Sequence, residues 1–280
     1  MYWQTSRRKL SFERPLVMAI LNATPDSFSD GGKVQSVDIA LKRAEEFIFG
    51  GADIIDIGGE STRPNSTQVS AEEEIGRVVP IIEAIAKRFD IPISIDTTKS
   101  NVAAAAIGSG AEIINDISGL RFDERIAEIA ANHNTGLVLM HSRGTFEAMH
   151  KQEPVENILC EVTGVFRSSI KKAKSFGVNP RNIALDIGIG FSKTFEQNLE
   201  LLAKLDKIVE EFSDYPILVG TSRKSFIGKI LCGVPADERL SGSLASIAVA
   251  VFNGAKIVRV HDVRETVETV KVADAIRKQL

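Results

Sequence analysis

Aromatic residues are scarce in this chain, at 6% overall with a single Trp. The apolar mass is therefore Ile, Val, Leu and Ala, which suits parallel strands buried under helices. Cysteine is nearly absent. Cys160 and Cys232 stand in no metal-ligand or redox spacing, so buried or inert thiols in a reducing compartment are expected. No stretch approaches the ~20 apolar residues of a membrane span. Arg7, Arg8 and Lys9 are not followed by an apolar run, so no signal peptide is expected. There is also no basic surplus. A formal net charge of −3 argues against a broad nucleic-acid or anionic-membrane surface. Phosphate loop, nucleophile elbow, His-rich cluster and zinc spacing are all missing. What remains is a cytoplasmic enzyme-sized chain.

What is there is a repeat. A short apolar run, a polar or Gly-bearing turn and a helical pattern recur from Leu16 onward. Eight strands are expected: Leu16–Leu21, Ile54–Ile57, Ile93–Ile95, Ile113–Asn115, Gly136–Met140, Ile183–Asp186, Ile217–Gly220 and Ile257–Val260. Ser70 and Glu73 open the second helix as a capping box. The sixth helix carries Phe195, Leu199, Leu202, Leu205, Val209 and Phe212 on one face. The seventh, Ser243 to Phe252, is apolar nearly all round, which points to burial on a second side, for example against another subunit. Strands alternating with helices mean a parallel sheet with right-handed crossovers. Eight units point to a single-domain (β/α)8 barrel over residues 16–280, with residues 1–15 as an extension or hairpin. An open doubly wound sheet is the competing topology, and it usually carries a glycine-rich loop after its first strand. Asn22 to Gly32 is not such a loop.

In a barrel of this kind the chemistry lies at the C-terminal strand ends. Those ends carry Asn22, Asp56, Asp96, Asn115-Asp116, Met140-His141, Asp186, Ser222-Arg223-Lys224 and Arg259 to His261. Any one of them has a plain explanation as a cap or turn residue. That explanation is preferred for Asp116 and Asp262, and a turn role for Asp53. As a set they are better matched: carboxylates and amides end strands three, four and six, and Lys224 and Arg259 end seven and eight. Buried carboxylates without partners cost several kcal/mol each, and the same rim supplies the opposite charge. Two Asp, one Asn and one Lys suit a flat heterocycle. Asp186 or Asp96 can accept two hydrogen bonds from a 2-amino-4-oxo-pyrimidine edge. Asn115 can donate and accept, and Lys224 can only donate. Arg259 can stack on the ring and reach an anion, with His261 as a second anion contact. Asn22 and its Asp-bearing loop can hold Mg²⁺.

These residues resemble the dihydropteroate synthase family of pterin-binding enzymes. The resemblance runs through Leu21–Gly32, Gly51–Pro64, Ser94–Thr97, Asn115–Gly119, Leu139–Gly144, Asp186–Lys193, Gly220–Gly228 and Arg259–Val263. It implies a homodimeric (β/α)8 barrel with Mg²⁺-dependent activity. The implied substrates are 7,8-dihydropterin-6-ylmethyl diphosphate and p-aminobenzoate, giving 7,8-dihydropteroate and diphosphate. It implies pterin contacts from Asp96, Asn115, Met140, Asp186, Lys224 and Arg259. For p-aminobenzoate it implies Thr62, Arg63, Pro64, Phe191, Ser222 and Lys224, the pocket in which sulfonamides compete. For diphosphate it implies Asn22, Thr62, Arg63, Arg259 and His261, with Asn22 also at the metal. Asp96, Lys224, Arg259 and His261 are the expected catalytic set. The chain departs from the family where Ile187 and Phe146 replace frequent prolines, which is expected to loosen the turn after Asp186. A corrinoid-dependent methyltetrahydrofolate methyltransferase and a non-catalytic pterin binder are the alternatives.

Overall fold

The protein is described from a computed structural model covering residues 1–24, 33–62, 66–146, 148–149 and 153–280, without the side chains of 33–35. Two short strands come first, β1 (Tyr2–Gln4) and β2 (Lys9–Ser11). Then come β3 (Leu16–Asn22), β4 (Ile54–Gly58), β5 (Ile93–Asp96), β6 (Ile113–Asp116), β7 (Gly136–Met140), β8 (Ile183–Asp186), β9 (Ile217–Val219) and β10 (Ile257–Val260). These last eight close into a barrel in the order β10-β3-β4-β5-β6-β7-β8-β9. All of the neighbouring pairs are parallel. The expected strands stand within a residue of their observed bounds.

The helices between them are α1 (Lys33–Phe49), α2 (Ala71–Arg88), α3 (Ser100–Gly108), α4 (Arg125–His133), α5 (Ile158–Ser175), α6 (Phe195–Ala203), α7 (Leu205–Glu211), α8 (Ser225–Ile230), α9 (Leu240–Phe252) and α10 (Val263–Arg277). None is long and apolar enough to cross a membrane. The expected sixth helix is in fact two, α6 and α7, broken at Lys204. Its apolar period runs on across the break, through Leu201, Leu202, Leu205 and Ile208. Periodicity therefore gave no warning of it. At the start of α2, Ser70 accepts from the Glu73 amide at 3.1 Å, while the Glu73 carboxylate pairs with Arg77. A complete capping box stands instead at α6, between Thr194 and Gln197.

Strand side chains alternate between two faces. Val17, Ala19, Leu21, Ile55, Ile57, Ile93, Ile95, Ile114, Leu137, Leu139, Ile183 and Leu185 pack outward with the helices. The opposite parity fills the lower barrel with Leu16, Met18, Ile54, Ile113, Val138, Ala184, Leu218 and Ile257. The β1–β2 hairpin belongs to that inner layer. Trp3 is fully buried there, and its indole N–H donates to the Asn182 carbonyl at 2.7 Å. Arg8 adds an ion pair of 2.8 Å to buried Glu112. Asp53, expected as a turn residue, holds Arg14 in a two-pronged pair at 2.8 Å and also caps the Val17 amide. The hairpin thus stops the N-terminal end of the barrel, leaving the other end for the site.

Candidate active site

The inward parity that fills the lower barrel with hydrocarbon continues upward into polar residues. On β4 it runs from Ile54 to Asp56, on β5 from Ser94 to Asp96, and on β6 from Ile113 to Asn115. It reaches Met140 on β7, Asp186 on β8 and Arg259 on β10. Asp116 has the opposite parity, and its carboxylate accepts from the Ser118 amide and hydroxyl and the Leu120 amide. It is a turn residue, as expected.

Arg259 is the hub. Its Nε donates to Asp56 Oδ2 at 2.6 Å and its Nη2 to Asp96 Oδ2 at 2.7 Å. Asn115 donates to the same Asp56 oxygen at 3.1 Å. One guanidinium thus holds two carboxylates from two other strands. Asp56 is fully buried and belongs to this inner network. Among the described residues, Asp56 Oδ1, Asn115 Oδ1 and Ser94 Oγ have no protein partner although buried. Unpaired buried polar atoms are rare and need an explanation; here a polar ligand would supply it.

Burial dominates the proton affinities. It pushes Asp96 up to about 7 against the pull of Arg259, with Asp56 adding like-charge repulsion. Asp186 is also raised by burial, opposed by the Gly188 amide that donates to its Oδ1 at 2.7 Å. Lys224 is lowered to about 8 by burial and then by Arg259. His261 is lowered to about 3 by burial, then by Arg223 and Arg259. Burial thus disfavours a charged imidazole at this position.

Lys224 lies against Gly190, where a Cβ would stand 3.0 Å from its Cδ. Its ammonium is 4.2 Å from the centre of the Phe191 ring. Phe191 packs with Ile117, Met140, Phe146 and Met149 in a small cluster above the barrel. Phe146, in the place of a frequent proline, is thereby a packing residue. Ile187, in the place of the other, is fully buried. The turn after Asp186 is held by the Asp186–Gly188 bond. Ser222 is engaged with His261, at 3.0 Å to the ring and 3.2 Å to the backbone amide. The hydroxyl expected to take a carboxylate of p-aminobenzoate thus already has partners. Asp262 stands at the N-cap position of α10 but makes no side-chain cap; its carboxylate pairs with Arg223.

Asn22 ends β3 opposite Gly58, half-buried. Thr62 is half-buried on the loop after β4. The base of that loop is tied down by Glu60, which accepts from the Val69 amide at 2.7 Å and from Lys99 at 2.9 Å. Arg63, Pro64 and residues 25–32 of the first loop lie outside the described residues, and so does His150. Among the described residues, no group of three His, Cys, Asp or Glu side chains is set to hold a metal. Asn22 would offer one amide oxygen at this strand end, a hard donor of the kind Mg²⁺ takes beside a ligand's phosphates.

The chain is similar to known proteins. Residues 18–261 match the family described as pterin binding enzyme. The chain is 50% identical over 265 residues to a dihydropteroate synthase of Clostridium beijerinckii, covering 94% of this chain and 95% of that one. A crystal structure of the Yersinia pestis dihydropteroate synthase with a sulfonamide drug complex superposes with a TM-score of 0.92 at 41% identity, covering 99% of this chain and 100% of that one. A Xanthomonas albilineans dihydropteroate synthase with 4-aminobenzoic acid gives 0.91 at 37% identity, covering 99% and 98%. With these matches the chain belongs to the dihydropteroate synthase family of pterin-binding enzymes, transferases of folate biosynthesis.

Proposed function

We propose that this barrel mouth joins 7,8-dihydropterin-6-ylmethyl diphosphate to p-aminobenzoate, releasing diphosphate and 7,8-dihydropteroate. The observation that carries this is the inward ring of Asp56, Asp96, Asn115, Asp186 and Arg259, with unpaired acceptors left on Asp56 and Asn115. Asp186, with one carboxylate oxygen held by the Gly188 amide, takes the amine and ring N–H of the pterin edge. Asn115 and Lys224 complete the contacts, and Met140 lines the ring. Arg259 and His261 face the diphosphate, with Asn22 and Thr62 beside it. Mg²⁺ held between Asn22 and the diphosphate would neutralise leaving-group charge.

The reacting carbon needs no protein nucleophile. An electron-rich dihydropterin spreads positive charge from its exocyclic carbon as diphosphate departs, so the path is dissociative. Arg259 stabilises the charge that leaves. Asp96 stabilises the charge that remains. The arylamine then attacks from the side of Phe191. Sulfonamides, sharing the aryl-amine shape, compete there.

The first test is diphosphate release with and without p-aminobenzoate. Release that needs p-aminobenzoate and Mg²⁺, matched by dihydropteroate, is the expected result. Chelation should stop it and added Mg²⁺ restore it. Tight pterin binding without release would leave a silent binder. Asp96→Asn is expected to lower kcat by about 10²–10³, the scale of losing one electrostatic contact to the transition state. Near-normal turnover would remove Asp96 from that role. We further propose a homodimer through α9 and α10, supported by exposed Val249, Phe252, Val272 and Ile276. Sedimentation should then give particles of twice the chain mass.

A further inference from the structure

The loop after β8 contains a buried cation that none of the expected contacts uses. Gly188, Gly190 and Ser192 all have positive φ, at 64°, 83° and 55°. This alternation curls the chain so that its carbonyls turn inward. The Lys193 ammonium sits where they meet. It donates to the Gly188 carbonyl at 2.8 Å, to the Phe191 carbonyl at 2.9 Å and to His141 Nδ1 at 2.8 Å. Those three bonds match its three N–H groups. The His141 carbonyl is nearby at 3.4 Å. With Nδ1 accepting, the imidazole proton sits on Nε2. Among the described residues no carboxylate hydrogen-bonds to this ammonium; backbone carbonyls and the imidazole face it instead.

The cradle is closed to larger groups. A Cβ on Gly188 would stand 2.0 Å from the His141 carbonyl oxygen and 3.2 Å from Lys193 Nζ. Asp186 opens this loop, two residues before Gly188, and Phe191 closes it, two residues before Lys193. Lys224 approaches Phe191 through its side chain, and Lys193 through its carbonyl. His141 ties the cradle to β7, where Met140 packs with Phe191.

We infer that Lys193 is a positioning residue for the second substrate: its ammonium, bound to the Gly188 and Phe191 carbonyls and to His141, fixes the Phe191 loop in the shape that receives p-aminobenzoate. This inference rests on the proposed synthase reaction. Lys193 touches neither substrate. It acts by holding the backbone that carries Phe191; of the pterin contacts, Asp96 and Asn115 stand on β5 and β6, and Asp186 is fixed by its place at the end of β8 and by the Gly188 amide, with no bond to Lys193.

The test compares Lys193→Ala and Lys193→Gln with the unaltered enzyme in the diphosphate-release assay. Glutamine keeps two N–H donors, loses the charge and fills part of the space, so it guards against simple collapse of the loop. The expected result is a KM for p-aminobenzoate raised about 10-fold or more in Lys193→Ala, a smaller rise in Lys193→Gln, and pterin affinity changed less than threefold. Millimolar methylammonium should lower the raised KM of Lys193→Ala by occupying the cradle, and tetramethylammonium, which has no N–H, should not. An unchanged KM in both variants would overturn the inference. So would equal losses of pterin and p-aminobenzoate binding, and so would rescue by both amines or by neither. If the unaltered enzyme shows no p-aminobenzoate-dependent release, the synthase reading fails instead, which separates the two failures.

Discussion

Arg259→Met should lose about 10²–10³-fold in kcat and about 3 kcal/mol of stability. The two effects have one origin. Arg259 is the only cation bonded to both Asp56 and Asp96 in the described structure. Methionine fills much the same length of barrel and leaves both carboxylates without their counter-charge, which is the costly way to break a buried pair. The stability deficit should depend on pH with a defined sign. Burial already raises Asp96 to about 7 from a usual 3.8, and removing Arg259 raises it further. A carboxyl that holds its proton more tightly when folded favours folding at acid pH, and that contribution is lost as pH rises through the folded value. The gap between variant and parent should therefore widen from pH 5 to pH 8. Urea midpoints at the two pH values measure it. Equal gaps would mean that Asp96 does not sense Arg259.

Trp3→Ala should cost about 3–5 kcal/mol while leaving substrate KM values unchanged. Trp3 is 0% exposed, the largest side chain in the layer that closes the lower barrel. Its removal opens a cavity between the hairpin and the Gly136 backbone and frees the Asn182 carbonyl from its indole partner. A Tm lowered by roughly 10 °C is expected for a chain of this size. The polar mouth stands at the other end of the strands. A changed KM for either substrate would show that the hairpin and the site are coupled, against the separation drawn here.

Both ends of the barrel illustrate how far the sequence carries. Eight apolar runs, each closed by a polar residue, were legible because strand burial and strand ends are local properties of the chain. The inward position of Asp96, Asn115, Asp186 and Arg259 follows from the same alternation. Asp116, one residue from Asn115, is excluded from the site by parity alone. Other features were not legible. The break at Lys204 leaves no mark on the apolar period. Trp3 reads as an aromatic beside Tyr2 near the start, and nothing local says that it reaches Asn182. Arg223 and Glu60 find Asp262 and Lys99 only across loops.

The sequence alone determined the fold class, the order of the elements, the end of the barrel that carries chemistry and the types of group presented there. The tertiary structure decided who pairs with whom. Arg259 meets Asp56 across 203 positions, Trp3 meets Asn182 across 179, and Lys193 meets His141 across 52. Alternation fixes the face on which a side chain stands. Barrel closure and the curl of the loops fix the distance and depth between side chains from different strands, and so decide which cation neutralises which carboxylate and which proton affinities result.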